Sequence, residues 1–151
     1  MAGNKKPQKK YVVPDQDEVV KIPPHLLKPL KASEHLKLKT MPHQALVEFR
    51  KGTATKKDWY TVTSRILATL NIARISYEAV TVQPLEQGYV LCQAILERHN
   101  ASGDVNVKAT PEELVDLVAC VDAADEIQHQ VARFLQLKCY KKAFEEMKKY
   151  K

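Results

Sequence analysis

The stretch RKGTATKKDWYTVTSRILATLNIARISYEAV, Arg50–Val80, decides the fold. Gly52 can take the left-handed backbone that ends a helix. Thr55 and Asp58 stand where the N-cap and the third helical residue of a capping box belong. Beyond them Trp59, Val62, Ile66, Leu70, Ala73, Tyr77 and Val80 recur every three or four residues, a helical, heptad-like period. The spacing predicts a helix that begins after Thr55 and runs to about Val80, roughly 35–40 Å long at ~1.5 Å per residue. Thr61, Val62, Thr63 and Thr69 are β-branched and lower helix propensity, so packing must hold this helix together.

Working outward, a short helix is expected from Pro42 to Lys51, with Ala45, Leu46 and Phe49 on one face. Downstream, Pro84 opens a third helix that runs to His99. Leu85, Tyr89, Cys92, Ile95 and Leu96 form its inner face, and Asn100–Gly103 stops it. Asp104–Lys108 alternates apolar and polar residues but has no partner strand, and reads as loop. Thr110-Pro111-Glu112-Glu113 puts a capping threonine, a first-position proline and a third-position glutamate in register. Leu114, Leu117, Val118, Val121, Ala124, Ile127 or Gln128, and Val131 follow at helical spacing. No glycine or proline follows Pro111, so one helix of about forty residues is open to this stretch, but the stripe slips at Phe134–Leu137, which predicts a bend or break there. A last helix then turns Tyr140, Ala143, Phe144 and Met147 inward and Lys141, Lys142, Lys148 and Lys149 outward.

The expected fold is all-α: an antiparallel bundle of four to five helices over residues 40–151, behind an irregular, proline-rich N-terminal arm over residues 1–39. The arm holds Pro7, Pro14, Pro23, Pro24 and Pro29, and its first ten residues are expected to be mobile. Its apolar residues Ile22, Leu26, Leu27 and Leu30 suit either packing on the bundle or docking on a partner.

Charge is unevenly placed. The first sixty residues carry 13 Lys or Arg against 6 Asp or Glu, residues 61–137 carry 5 against 10, and residues 138–151 carry 6 against 2. Basic ends attract polyanions, while an acidic middle attracts basic segments of the same or another chain. Lys5, Lys6, Lys9, Lys10 and Tyr11 at the start, with Lys141, Lys142, Lys148 and Lys149 near the end, are the candidate nucleic-acid contacts. Lysines beside aromatic rings suit single strands, whose bases can stack.

Other chemistry is sparse. His25, His35, His43, His99 and His129 form no H-x-x-x-H or H-E-x-x-H spacing, and no phosphate-binding glycine loop or G-x-S-x-G element is present. The expectation is a non-enzyme with no catalytic residues, no cofactor and no metal. Cys92, Cys120 and Cys139 are widely spaced and read as reduced, buried thiols of a cytoplasmic protein. No apolar run approaches the ~20 residues of a membrane span, and the N-terminus lacks the apolar core of a secretory signal. A helix-turn-helix centred on Gly52 would put Glu48 and Asp58 at positions that need packing atoms, so the turn reads as a corner between packed helices.

Two motifs carry a resemblance. Lys6-Pro7 with Lys9-Lys10-Tyr11, and Gly52-Thr53-Ala54-Thr55-Lys56-Lys57-Asp58, together with the helix order, resemble a family of small all-helical proteins from bacterial plasmids and prophages. Some members are loosely labelled Fis-type transcription regulators. The resemblance implies a mobile-element setting and no mechanism. Within it, the expected function is an accessory protein that binds nucleic acid or a nucleoprotein through its basic termini. The alternatives are a protein-binding inhibitor of a host machine, such as a phage anti-defence protein, and a self-associating helical module that pairs as a homodimer.

Overall fold

The computed structural model describes residues 28, 29 and 31–150. Five helices form the bundle: α1 Ala32–Lys51, α2 Lys56–Ser76, α3 Ala79–Ser102, α4 Pro111–His129 and α5 Arg133–Met147. A 3-10 turn, Lys148–Tyr150, follows α5. Among the described residues there is no strand, and one isolated antiparallel bridge joins Pro29 to Ala132.

The opening stretch forms the expected corner. Gly52 ends α1 at φ +78°, and its N–H and that of Thr53 close back on Phe49 and Glu48 carbonyls. The Asp58 N–H donates to Thr55 Oγ1 at 3.3 Å, and the Thr55 N–H donates to Asp58 Oδ2 at 2.9 Å. Asp58 is therefore a capping group. The same reciprocal pair opens α4, with Glu113 N–H to Thr110 Oγ1 at 3.1 Å and Thr110 N–H to Glu113 Oε1 at 2.8 Å. Arg98 grips the Glu113 carboxylate through both terminal nitrogens, at 2.7 and 3.0 Å, and ties the end of α3 to the start of α4.

α2 is the axis of the molecule and packs against all four other helices. Residues 62–73 form an unbroken buried run. The predicted stripe Trp59, Val62, Ile66, Leu70 and Ala73 is buried, and so is the opposite side, including Leu67, Ala68 and Ile72. A helix covered on every side needs no polar face, which is why β-branched residues are tolerated along it. The Trp59 indole N–H satisfies itself on the Cys92 carbonyl at 2.8 Å.

Several boundaries differ from the sequence reading. α1 begins at Ala32, so residues 32–39, expected in the arm, belong to the bundle, and Pro42 lies inside the helix. The early turns of α1 are held by Glu34, which accepts the Lys31 N–H at 3.2 Å and pairs with Arg133 of α5. α2 stops at Ser76, where Tyr77 turns extended, and leaves Tyr77 and Val80 exposed. α3 begins at Ala79 and carries Pro84 in its interior.

The break between α4 and α5 falls at Gln130–Ala132, earlier than the slip at Phe134 suggested. Its open backbone groups find partners there. The Gln136 amide donates to the carbonyls of Gln128 and Val131 at 3.1 and 3.0 Å, and the Arg133 N–H donates to the Lys28 carbonyl at 2.6 Å. In α5, Ala143 and Met147 face the core as expected, but Phe144 is 45% exposed. Asp104–Lys108 is loop; Val107 is fully buried, and its N–H donates to the Ala54 carbonyl at 2.9 Å. Cys92, Cys120 and Cys139 are buried free thiols; burial pushes Cys92 to about 12 and Cys139 to about 11.

Candidate nucleic-acid interface

The start of α2 and the end of α5 lie side by side because the two helices run antiparallel. Trp59 meets Tyr150 edge-on with centroids 5.3 Å apart. Tyr60 and Phe144 lie nearly parallel, 6.5 Å apart at 6°, and Tyr140 packs on Phe144 at 5.8 Å. Lys141, Lys142, Lys148 and Lys149 are exposed on α5 and the turn after it, and Lys56 and Lys57 are exposed on the first turn of α2. Glu145 takes Lys148 at 3.1 Å. Glu146 accepts the Tyr89 hydroxyl at 2.6 Å, and Asp58 is occupied by its cap. Lys141, Lys142, Lys56 and Lys57 make no ion pair among the described residues.

This arrangement gathers some of the predicted contacts and not others. Lys141 and Lys142 of α5 and Lys148 and Lys149 of the turn after it stand together at one end of the bundle. Tyr150 is turned inward: its hydroxyl meets Tyr89 at 2.9 Å and accepts the Gln93 amide at 2.8 Å, while Lys149 lies over its ring at 5.2 Å. The Tyr89 hydroxyl is held in its neutral form, first by burial and then by its bond to Glu146. Tyr140 is likewise committed inward. Lys5, Lys6, Lys9, Lys10, Tyr11, Ile22, Leu26, Leu27 and Leu30 lie outside the described residues. The sequence spacing of α5 turns Phe144 inward. Phe144 instead forms an exposed ring flanked by lysines, and its sequence signal was the KK-A-F-EE-M-KK pattern around it.

A second polar cluster is buried. Arg65, 1% exposed on α2, donates Nη2 to Asp125 Oδ1 at 3.0 Å and Nη1 to the Tyr140 hydroxyl at 2.9 Å and to Gln128 Oε1. Gln128 in turn donates to Thr69 Oγ1 at 2.7 Å. Asp125 Oδ2 meets His43 Nε2 of α1 at 2.7 Å. Sequence spacing gave no hint of this cluster, since its members come from α1, α2, α4 and α5. A carboxylate that orients a histidine is half of a nucleophile-activating arrangement. Among the described residues, the groove beside it presents Lys39, Asp122 and Glu126, and no Ser, Thr or Cys. The carboxylate's other oxygen faces a buried guanidinium. His43, Asp122 and Asp125 place one ligand atom each within 4.8 Å of one another. This proximity was not foreseen from spacing, but Arg65 already supplies Asp125 with its positive partner. The arrangement acts as an electrostatic tie across three helices.

Glu48, expected to be an awkward buried carboxylate in a DNA-reading turn, is half-buried and accepts the Thr53 hydroxyl at 3.0 Å. The helix after the corner is wrapped by its neighbours and has no face to lay in a groove. His129 is exposed and packs its ring on His35, centroids 5.2 Å apart. Among the described residues no helix is long and apolar enough to cross a membrane. No family model, no curated protein and no solved structure matches the chain.

Proposed function

We propose that this chain is a non-enzymatic accessory protein that binds nucleic acid, free or in a nucleoprotein, through the basic end of its bundle. The supporting observation is the exposed Phe144 ring, parallel to Tyr60 and set among Lys141, Lys142, Lys148 and Lys149. Lysines neutralise phosphates without reading sequence, and an exposed ring offers a base a stacking face. The lysine-rich start of the chain adds further charge to the same task. A plasmid or prophage setting follows from the resemblance in Lys6–Tyr11 and Gly52–Asp58 alone.

The test is fluorescence anisotropy with labelled single- and double-stranded oligonucleotides over a salt series. Single strands should bind more tightly, with affinity falling steeply as salt rises. Replacing Lys141, Lys142, Lys148 and Lys149 by Ala should flatten the log–log salt slope by about 3, at roughly 0.7 per single-strand phosphate contact. Affinity that ignores salt and the four lysines would sink the proposal.

A protein-docking reading has one observation in its favour. Met41 and Val47 of α1, 56% and 40% exposed, line an open groove with Lys57, Asp58 and Thr61 of α2. An inhibitor of a host machine would use such a surface, and capture of one stoichiometric protein partner that Met41→Glu abolishes would favour it.

A further inference from the structure

His43 of α1 and Asp125 of α4 are 82 residues apart in sequence, and His43 Nε2 meets Asp125 Oδ2 at 2.7 Å. Asp122 lies one turn before Asp125 on the same face of α4. One ligand atom from each of the three residues falls within 4.8 Å of the others. They open onto a groove of about 560 Å³ between α1 and α4, which Lys39 and Glu126 also line. The His43 side chain is 37% exposed, the Asp125 side chain is 12% exposed and Asp122 is exposed, so an ion can reach these donors from solvent.

These three residues are more than a patch of surface acids. They combine an imidazole nitrogen with carboxylate oxygens, and the imidazole comes from a second helix packed against α4. They also have an outer shell. Arg65, 1% exposed, holds Asp125 Oδ1 at 3.0 Å and leaves Oδ2 turned toward His43. A ligating carboxylate is commonly fixed by a hydrogen bond of this kind. The guanidinium thus orients Asp125 as a ligand while sharing its charge. Around the groove Asp122, Asp125 and Glu126 face Lys39 and Arg65, which leaves one negative charge in excess. Four-coordinate zinc, with bonds of about 2.1 Å, holds its donors roughly 3.4 Å apart. The Nε2–Oδ2 pair therefore opens by about 0.7 Å to admit the ion, and the other donors close by about 1.4 Å at most.

We infer that His43, Asp122 and Asp125 bind a divalent transition ion of the zinc class, with water completing its coordination. An imidazole donor favours such an ion over Mg²⁺ or Ca²⁺, which take oxygen ligands. The ion replaces the hydrogen bond between His43 and Asp125 and clamps α1 to α4. Sequence spacing gave no sign of it, because the nitrogen and the oxygens come from helices far apart in the chain. The site shares no residue with the lysine-bearing end and stands whether or not that end binds nucleic acid.

The test is calorimetric titration of the full chain with zinc chloride, beside thermal melts with and without the salt. One equivalent of zinc should bind and raise the melting midpoint, since an ion held by the folded state alone stabilises it. Magnesium chloride at the same concentrations should do neither. His43→Gln and Asp122→Asn should each weaken zinc binding by more than about tenfold, the cost of losing even an outer-shell partner. Asp122 takes no part in the contacts of Arg65, Asp125 and His43, so Asp122→Asn should leave the zinc-free midpoint unchanged. A loss confined to the zinc-loaded protein separates a ligand from a packing residue. An equivalent of zinc that survives both variants sits elsewhere and overturns the proposal. Absence of zinc binding, or magnesium binding as tight as zinc, also overturns it.

Discussion

Arg65 and Asp125 face each other at 3.0 Å across the α2–α4 contact, the first with a side chain 1% exposed and the second 12%. A guanidinium so deeply buried is tolerable only while its carboxylate stays in place. Asp125→Ala should therefore cost about 3–5 kcal/mol, as expected when one member of a buried pair is left alone. Arg65→Met/Asp125→Leu should cost less than the single change. Urea denaturation of the three proteins checks this, and an Asp125→Ala penalty below about 1 kcal/mol would show that the pair is not closely coupled.

Gly88 lets α3 approach α4. A Cβ built there lies 2.4 Å from Cys120 Sγ and 3.4 Å from Cys120 Cβ. Gly88→Ala should destabilise by about 1–3 kcal/mol through overpacking. Adding Cys120→Ala removes the colliding sulfur, so the double variant should regain part of the loss. Equal midpoints for Gly88→Ala and wild type would contradict this packing.

The two capping boxes offer a matched comparison. Thr110→Ala and Thr55→Ala should each cost about 0.5–2 kcal/mol. The Thr110 change should cost more, because Glu113 also carries the Arg98 bond and loses its orientation. Thermal melts of the two variants decide the order.

Acid should loosen the α1–α4 seam. Burial holds the His35 imidazole below its ordinary 6.5, aided by the charges of Arg65 and His129. The unfolded chain then binds more protons than the folded one, so this contribution is complete above pH 6.5 and fades as pH falls below it. Below about 4.5 a second loss begins. The Arg98 guanidinium holds Glu113 under its usual 4.5, and protonating that carboxylate forfeits the bond. Urea midpoints from pH 8 to 2 should fall in two stages, and His35→Gln should flatten the first alone.

The thiols report on opening. Cys92, Cys120 and Cys139 are all buried, and burial raises each of their pKa values. Since the thiolate is the reactive form, a disulfide reagent at neutral pH should modify the native protein far more slowly than the urea-unfolded chain. Immediate labelling of one equivalent in the native state would show that a thiol is open to solvent.

The legible parts of the fold were those whose causes are local. Thr55 with Asp58, Thr110 with Glu113, and Gly52 each act within four residues, and all three do in the structure what their spacing implied. The boundaries that moved depend on distant partners. α1 reaches back to Ala32 where Glu34 pairs with Arg133, about a hundred residues away in sequence, and the α4–α5 break is fixed by Gln136 and Lys28. Periodicity also treats a helix as having one buried face. It therefore missed that α2 buries all of them, and it sent Phe144 inward when its apolar neighbours on α5 had already filled the core. The Arg65 cluster was beyond reach for the same reason, since one arginine in an apolar run says nothing about which other helices will bring it partners.

Because residues 62–73 are enclosed on all sides, α2 has no stable form apart from its neighbours. A fragment ending before α5, or one starting after α1, would present a strip of that rod to water along its whole length. The chain therefore has no natural place to be cut into halves that fold. While the chain is being made, the rod is finished long before Arg133–Met147 arrives to close it. In that interval the nascent protein carries an open apolar channel that α5 later fills.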